Sequence, residues 1–460
     1  MLASQPVPRR IPNARSQIRR NLRDSGKRLV VIDDDPTGAQ TIHGVSVFMN
    51  WSVDVLRKAI ASGAPVFFVC TNSRSLDPLE AKAISLEVGR NLQEAARLEG
   101  VEVIIVSRSD STLRGHFPYE VDALATGLGQ KLDGIIVVPA FFEGGRYTID
   151  DIHWVEQDGE MIPAHETEFA RDPVFGFEHS DLKAWVVEKI GGAIESRDVR
   201  SISLKLLREG GPEAVAETLA GVLKGMPVIV NAACYEDLEV LVFGILSEEK
   251  KGKKFAYRCA ASFVKARGGF EDKPLLTQRD IAIGKGPGLV VVGSYVEKTS
   301  RQLIQLLTSG LAYGIEIRVQ ELQEKERRNI EIEAVAQSVN NHLSAGITTA
   351  LYTSRTVHRV SNHNFLEIGK NVMLSLCEVM QQIRHQPNYL VAKGGITSIE
   401  LARTALNVKE AFVLGQIIEG TPVWRLGREA RWPDIPYVVF PGNVGDDNAL
   451  CRVIEILQGV

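Results

Sequence analysis

Asp110-Ser111-Thr112-Leu113-Arg114-Gly115 places an acid, two hydroxyls, a guanidinium and a glycine just after an apolar, β-branched run at 101–106. Open α/β sheets hold their ligands beyond the carboxyl ends of strands. At such a place Arg114 can take a carboxylate, while Asp110 and the two hydroxyls take the oxygens of a small polyhydroxylated anion. The same residues also suit a helix entry in which Asp110, Ser111 or Thr112 caps free amides. A second apolar run, at 29–32, ends in Asp33-Asp34-Asp35-Pro36-Thr37-Gly38. Adjacent carboxylates repel one another, so folding alone gives little reason to gather three. Pro36 stops regular strand pairing and Gly38 permits a tight turn. The cluster suits a general base, a Mg²⁺ contact or a binder of several hydroxyls. A solvated acidic turn is the alternative.

These segments have companions in Thr71-Asn72-Ser73-Arg74, Pro139-Ala140-Phe141 and Gly145-Arg146. Further along come Gly293-Ser294, Lys393-Gly394-Gly395-Ile396-Thr397-Ser398 and Pro441-Gly442-Asn443-Val444-Gly445. In order and spread over nearly the whole chain, the set resembles the four-carbon acid sugar kinase family. Its members phosphorylate short sugar acids such as threonate, erythronate or 3-oxotetronate with ATP. Asp33 departs from the family pattern, which has a small residue there. The resemblance implies a sugar-acid site drawn from Asp34, Arg74, Arg108, Asp110, Ser111 and Arg114, with Arg74 and Arg114 selecting acids over neutral sugars. It also implies a nucleotide site drawn from Ser294, Gly394, Gly395, Ile396, Thr397, Gly442 and Asn443, with ATP and Mg²⁺ as cofactors and the terminal hydroxyl as acceptor. Successive side chains of an extended backbone point to opposite faces. Only one of Asp34 and Asp35 should therefore face the substrate directly, the other orienting it, binding a hydroxyl or capping the next helix. Asp35 is favoured as the base and Asp34 as a substrate ligand. A structural role for Arg114, bracing Asp110, is the competing reading.

The elements that must position these residues are read from periodicity. Strand-like runs at 29–32, 45–49, 66–69, 101–106 and 134–138 alternate with helical patterns at 53–62, 78–98 and 119–128. The pattern continues at 212–223, 228–230 and 235–246. Such alternation indicates βαβ units and a parallel sheet. The expected fold is α/β in two domains, each a mainly parallel sheet flanked by helices. A basic arm covers 1–28, the sugar-acid domain 29–272, a Gly- and Pro-rich linker 273–288 and the nucleotide domain 289–460. The polar, aromatic stretch 152–177 reads as an irregular loop covering the active site. The mixed charges of 321–336 read as a solvated helix.

Neither a Walker A sequence nor GxGxxG occurs. Three strand-to-loop junctions offer another route to phosphate: 290–292 into Gly293-Ser294, 389–391 through Lys393-Gly394-Gly395 to Thr397, and 437–440 into Gly442-Asn443-Val444-Gly445. Glycine lets backbone amides approach phosphate oxygens, and a following helix start favours negative charge. Each junction also suits an ordinary tight turn; their recurrence argues for one shared ligand site. Thr397 and Glu400 match a capping box, and a helix is expected after Asp447.

At 460 residues the chain exceeds the usual single core. A net charge of −4 leaves no basic surplus for nucleic acid or acidic membranes, and no apolar run approaches a membrane span. The scattered Cys70, Cys234, Cys259, Cys377 and Cys451 suggest neither zinc nor a redox motif, with Cys70 and Cys377 placed in the core. His358 and His363, five apart, do not share a helical face. The arm to Arg28, rich in arginine, lacks a secretory apolar core and is expected to lie on the acidic body. The expected setting is cytoplasmic, and a homodimer is left open. A nucleotide-linked sugar-acid sensor without turnover is the alternative to a kinase; a dehydrogenase lacks its fingerprint.

Overall fold

The computed structural model describes residues 4–157, 159–282, 284–355 and 365–460, so His358 and His363 lie outside the described residues. The chain forms two compact units, Met1–Thr41 with Asn50–Asp272, and Ile42–Met49 with Lys273–Val460. Each is an α/β layer structure on a mainly parallel sheet.

In chain order the strands are β1 (Arg28–Asp33), β2 (Val45–Phe48), β3 (Val66–Cys70), β4 (Val103–Arg108), β5 (Gly134–Val138), β6 (Arg146–Ile149), β7 (Ile152–Gln157), β8 (Glu160–Pro163), β9 (Arg200–Ile202), β10 (Met226–Val230) and β11 (Phe255–Cys259). The first unit's sheet runs β3-β1-β4-β11-β5-β10-β9, and every neighbouring pair is parallel. Its central strands are buried along almost their whole length, as helices on both faces require. β9 and β11 were absent from the expected pattern; β11 lies at the centre of the sheet, between β4 and β5.

Register does the positioning. Asp33 pairs with Cys70 on one side and with Arg108 on the other. The residues after all three strands, including Asp34, Arg74 and Asp110, therefore leave the sheet at one level. After β3 the chain enters the helix Pro78–Glu99. Asp77 caps it by accepting from the Leu79 and Glu80 amides, Pro78 starts it, and Gly100 closes it with φ 64°.

The stretch expected to be irregular instead joins β6 to form an antiparallel meander, β6-β7-β8. Ile149 pairs with Ile152 across a two-residue turn, Asp150-Asp151, with φ 52° and 65°. Positive φ at both positions matches the twist of a tight hairpin, but paired aspartates are a weak signal for it. At the N-terminus, Ala14–Asp24 is a helix that buries Ala14, Ile18 and Leu22. Arg15 pairs with Glu239 and Asp272, each at 2.9 Å. The described part of the basic arm thus packs as part of the first unit.

The second unit adds β12 (Leu289–Val292), β13 (Tyr313–Ile317), β14 (Thr349–Thr353), β15 (Leu390–Lys393), β16 (Glu410–Ile418), β17 (Thr421–Leu426) and β18 (Pro436–Phe440). Strands β13-β14-β12-β15-β18 are parallel; β17, β16 and β2 continue the sheet antiparallel. β2, expected with the first sheet, pairs with β16 from Val45 opposite Val413 to Phe48 opposite Glu410. Its composition specifies a strand but not a partner. The helix Lys325–Ser344 buries Ile332, Val335, Ala336 and Val339, so it is amphipathic and not fully solvated. Cys70 and Cys377 are buried, as expected. Among the described residues no helix is long and apolar enough to cross a membrane.

The Gly/Pro-rich stretch after Asp272 packs into the second unit. The Leu276 amide donates to the Gln416 carbonyl at 2.7 Å, and its side chain joins the core around Val290, Val391 and Val438. Leu276→Ala should cost about 2–5 kcal/mol of the second unit's stability. Leu275→Ala, at a side chain 45% exposed, should stay within about 0.5 kcal/mol. Urea unfolding of the full chain checks the contrast; equal effects would make 273–288 a loose tether.

Candidate active site

Asp33, Asp34 and Arg108 are buried where β1 and β4 end. The Arg108 Nη1 donates to Asp33 Oδ1 at 3.2 Å and lies 3.9 Å from Asp34 Oδ1. Asp34 Oδ2 accepts from Ser109 Oγ at 2.6 Å, while Asp34 Oδ1 is buried without a hydrogen-bond partner. Gly38 is required here, because a Cβ on it would fall 1.7 Å from Asp33 Oδ2. The Asp33-to-Gly38 turn thus folds onto its own first carboxylate.

Arg74, delivered by the short turn after β3, ties two loops together. It pairs with Asp35 and, at 3.2 Å, with Asp110 Oδ1. Arg114 Nε donates to Asp110 Oδ2 at 2.8 Å, its Nη1 lies 3.4 Å from Asp172 Oδ2, and its guanidinium stacks 5.1 Å from the Phe169 ring centre. Burial would raise the Asp110 carboxyl, but Arg74, Arg114 and the Thr112 hydroxyl outweigh it and hold it well below the usual range. Burial likewise opposes ionisation of Asp35, and Arg74, Arg108 and Thr37 reverse the effect. Both are firmly carboxylates at neutral pH.

Five of the six expected sugar-acid residues meet in this network. Arg108 and Arg114 act within it as braces for Asp33 and Asp110, the competing reading for Arg114. The sixth, Ser111, contributes its carbonyl, which accepts from His153 Nε2 at 2.7 Å. The helix-entry reading fails: the next helix, Tyr119–Gly127, begins after Pro118 with no side-chain cap. The expected cover does reach the site, since Asp172 and Phe169 come from it and Phe175 packs edge-on against His116 at 4.9 Å.

Several participants escaped the sequence reading. Buried His153 holds the 110–114 loop; because its Nε2 donates to Ser111, its Nδ1 accepts from Thr148 Oγ1 at 3.0 Å. Burial lowers it to about 4, so it stays neutral. Arg258, on the unexpected β11, donates to the Arg114 carbonyl at 2.9 Å and is fully enclosed. Glu120 accepts from the His116 amide at 3.0 Å. Nothing in the local sequence marks these as site residues.

The second unit brings its three junctions together, because β12, β15 and β18 are adjacent and parallel. A Cβ on Gly394 (φ 119°) would lie 3.0 Å from Thr397 Oγ1 and 3.1 Å from Ser294 Cβ, and one on Gly442 would lie 3.1 Å from Ser294 Oγ. Thr299 Oγ1 donates to the Gly442 carbonyl at 2.8 Å. Lys393, fully buried, donates to the Pro441 and Gly442 carbonyls over the Phe440 ring. Burial, reinforced by Lys298, lowers it to about 7. The expected capping box is absent. Gly394 caps the helix Gly395–Glu400 without a side-chain bond, and Glu400 accepts from Thr404 instead. Ile396, 58% exposed, stands in the first turn of that helix, and Tyr295, 59% exposed, follows Ser294. Among the described residues no group of His, Cys, Asp or Glu is arranged to hold a metal ion.

Residues 29–267 match the model of a sugar-binding N-terminal domain, and residues 289–450 that of a nucleotide-binding C-terminal domain. The chain belongs to the four-carbon acid sugar kinase family. It is 25% identical to a D-erythronate kinase of Heliobacterium modesticaldum, over 93% of this chain and 97% of the relative. It is 23% identical to a D-threonate kinase of Salmonella typhimurium, over 94% and 98%. Crystal structures of a Haemophilus influenzae protein (TM-score 0.65, 17% identity, 93% of this chain and 100% of that one) and of a Salmonella typhimurium protein described as a putative tRNA synthase (TM-score 0.68, 16%, 92% and 98%) share the fold.

Asp33, expected from the sequence to depart from the family's pattern, has a measurable signature. Burial, opposed by Arg108 and reinforced by Asp34 and Asp35, pushes its carboxyl from 3.8 up to about 7. Burial, reinforced by Asp34, also pushes Glu120 from 4.5 to about 7. Between about pH 4 and 7 these two groups therefore keep protons in the folded protein that the unfolded chain has released. Their contribution to stability falls as pH rises through that window, while His153, held down to about 4, contributes in the opposite sense. Asp33→Asn should flatten this fall in urea unfolding measured across the window, and adding Glu120→Gln should flatten it further. An undiminished slope in the double variant would contradict the assignment.

Proposed function

We propose that this chain is an ATP-dependent kinase that phosphorylates the terminal hydroxyl of a four-carbon sugar acid of the threonate or erythronate type. The observation that carries this reading is the convergence of Asp34, Asp35, Arg74, Asp110 and Arg114 at the carboxyl ends of three adjacent parallel strands. Alternating carboxylates and guanidinium groups suit a ligand that is both polyhydroxylated and anionic. The names of the two relatives support the substrate class.

In the second unit, Ser294, Gly394, Gly395, Ile396, Thr397, Gly442 and Asn443 have the chemistry of a phosphate cradle. The first amides of the helical run after Gly394 have no helical acceptor and favour negative charge. The close approach of Gly394 and Gly442 to Ser294 leaves no room there for larger side chains. Exposed Tyr295 and Ile396 offer apolar surface to a purine. ATP supplies the transferable phosphoryl group. A Mg²⁺ bound with ATP would neutralise phosphate charge while drawing few ligands from the protein itself.

Phosphoryl transfer depends mainly on positioning and charge stabilisation. Asp35 is engaged by Arg74 and Thr37 and held below its ordinary range, which makes it a poor proton acceptor. Asp34 Oδ1 has no donor of its own. We therefore reverse the roles expected from sequence: Asp34 receives the acceptor hydroxyl's proton, and Asp35 orients the sugar through Arg74. Asp34→Asn should lower kcat by about 10²–10⁴ with ATP affinity nearly intact. Asp35→Asn should chiefly raise KM for the sugar acid. Separate measurement of the two constants decides; near-normal turnover in both variants would remove the cluster from the mechanism.

A further inference from the structure

Recognition of an acid needs a cation whose charge is not already spent. Arg74 is shared between Asp35 and Asp110, Arg114 between Asp110 and Asp172, and Arg108 faces Asp33 and Asp34. Arg258 is close to Asp34, Asp110 and Glu120, fully enclosed, and engaged with the Arg114 carbonyl at 2.9 Å.

Arg146 differs from all four. It opens β6, anchored by reciprocal backbone bonds with Phe141 at 2.9 and 3.1 Å. Its side chain makes no ion pair and donates no hydrogen bond among the described residues, and its Nε is buried without a partner. It keeps partial access to solvent. Its guanidinium lies 5.8 Å from the centre of the same Phe169 ring that Arg114 faces at 5.1 Å, which places it at the edge of the acid–arginine network. Burial makes the charge costly, and Arg114 adds repulsion that Asp110 only partly offsets. A buried guanidinium without a carboxylate is a liability to the fold. A planar fork with free donors is also the geometry that receives a carboxylate in two parallel hydrogen bonds.

We propose that Arg146 receives the carboxylate of the acid sugar and so sets the preference for acids over neutral polyols, with Arg74 and Arg114 shaping the site around it. This rests on the sugar-acid reading above and adds a residue that the sequence marked only as part of a motif. The substrate's charge then completes a pairing that the free protein lacks.

The test compares the full-length protein with Arg146→Met and Arg146→Lys, titrating D-threonate, D-erythronate and the uncharged polyols threitol and erythritol by calorimetry, with ATP titrated separately. Arg146→Met should weaken binding of the favoured acid by at least about tenfold, the worth of a charged hydrogen bond. It should leave the polyols and ATP nearly unchanged. Arg146→Lys should fall between. The melting temperature of Arg146→Met should hold or rise, because an unpaired buried charge has been removed; a bracing arginine would give a fall. An Arg146→Met protein that binds the acid as wild type does overturns the inference, whatever the turnover. So does a fall in melting temperature with equal losses for acid, polyol and ATP. Wild-type protein that binds the acids yet never consumes ATP contradicts the kinase reading alone, and wild-type protein that binds none of the acids overturns both.

Discussion

Arg74 is the tie on which the first unit's site depends. Its guanidinium spans Asp35, from the turn after β1, and Asp110, from the loop after β4, while its own backbone leaves β3. Burial disfavours its charge, and the surrounding carboxylates of Asp34, Asp35 and Asp110 more than restore it. Three acids in sequence are tolerable only because arginines from neighbouring strands meet them. Buried pairs of this kind contribute little net stability, yet loss of one partner leaves a charge stranded, at a cost of about 3–5 kcal/mol. Geometry is what the network supplies: each loop is held in position by an ion pair to the next.

The second unit meets a similar demand without acids. Its cradle is made of backbone and small side chains, and the buried Lys393 amine spans from the end of β15 to the carbonyls after β18. The two units thus suit opposite partners. One gathers carboxylates and guanidinium groups at its strand ends; the other gathers glycine backbone and small hydroxyl side chains.

Much of this was legible in the sequence, and the reasons differ by residue. Buried parallel strands are continuous apolar runs, so β1, β3, β4 and β5 stood out, and the chemistry sat just after them. The three glycine junctions were found singly, and their adjacency follows from strand order, which local sequence does not encode. β2 reads as a strand anywhere, and its partner β16 lies more than 360 residues away. β11 carries Tyr257 and Arg258 within its run and follows the lysine-rich stretch Lys250-Lys251-Gly252-Lys253-Lys254, so its place at the sheet's centre was hidden. The hairpin at Asp150-Asp151 uses φ angles that aspartate adopts less readily than glycine or asparagine. The expected division of labour between Asp34 and Asp35 rests on strand alternation, but β1 ends at Asp33, so alternation no longer governs the two side chains. Arg146 could be quoted as part of a motif, but its lack of a carboxylate partner among the described residues is a property of three dimensions.

The most direct measurement is ADP release by the purified full-length protein, given ATP with each of a panel of four-carbon acids and their matching polyols. The account predicts turnover with at least one threonate or erythronate stereoisomer, little with any neutral polyol, and phosphate on the terminal carbon of the product. ATP consumption equal with acids and polyols, or no turnover with any four-carbon acid that the protein binds, would contradict it.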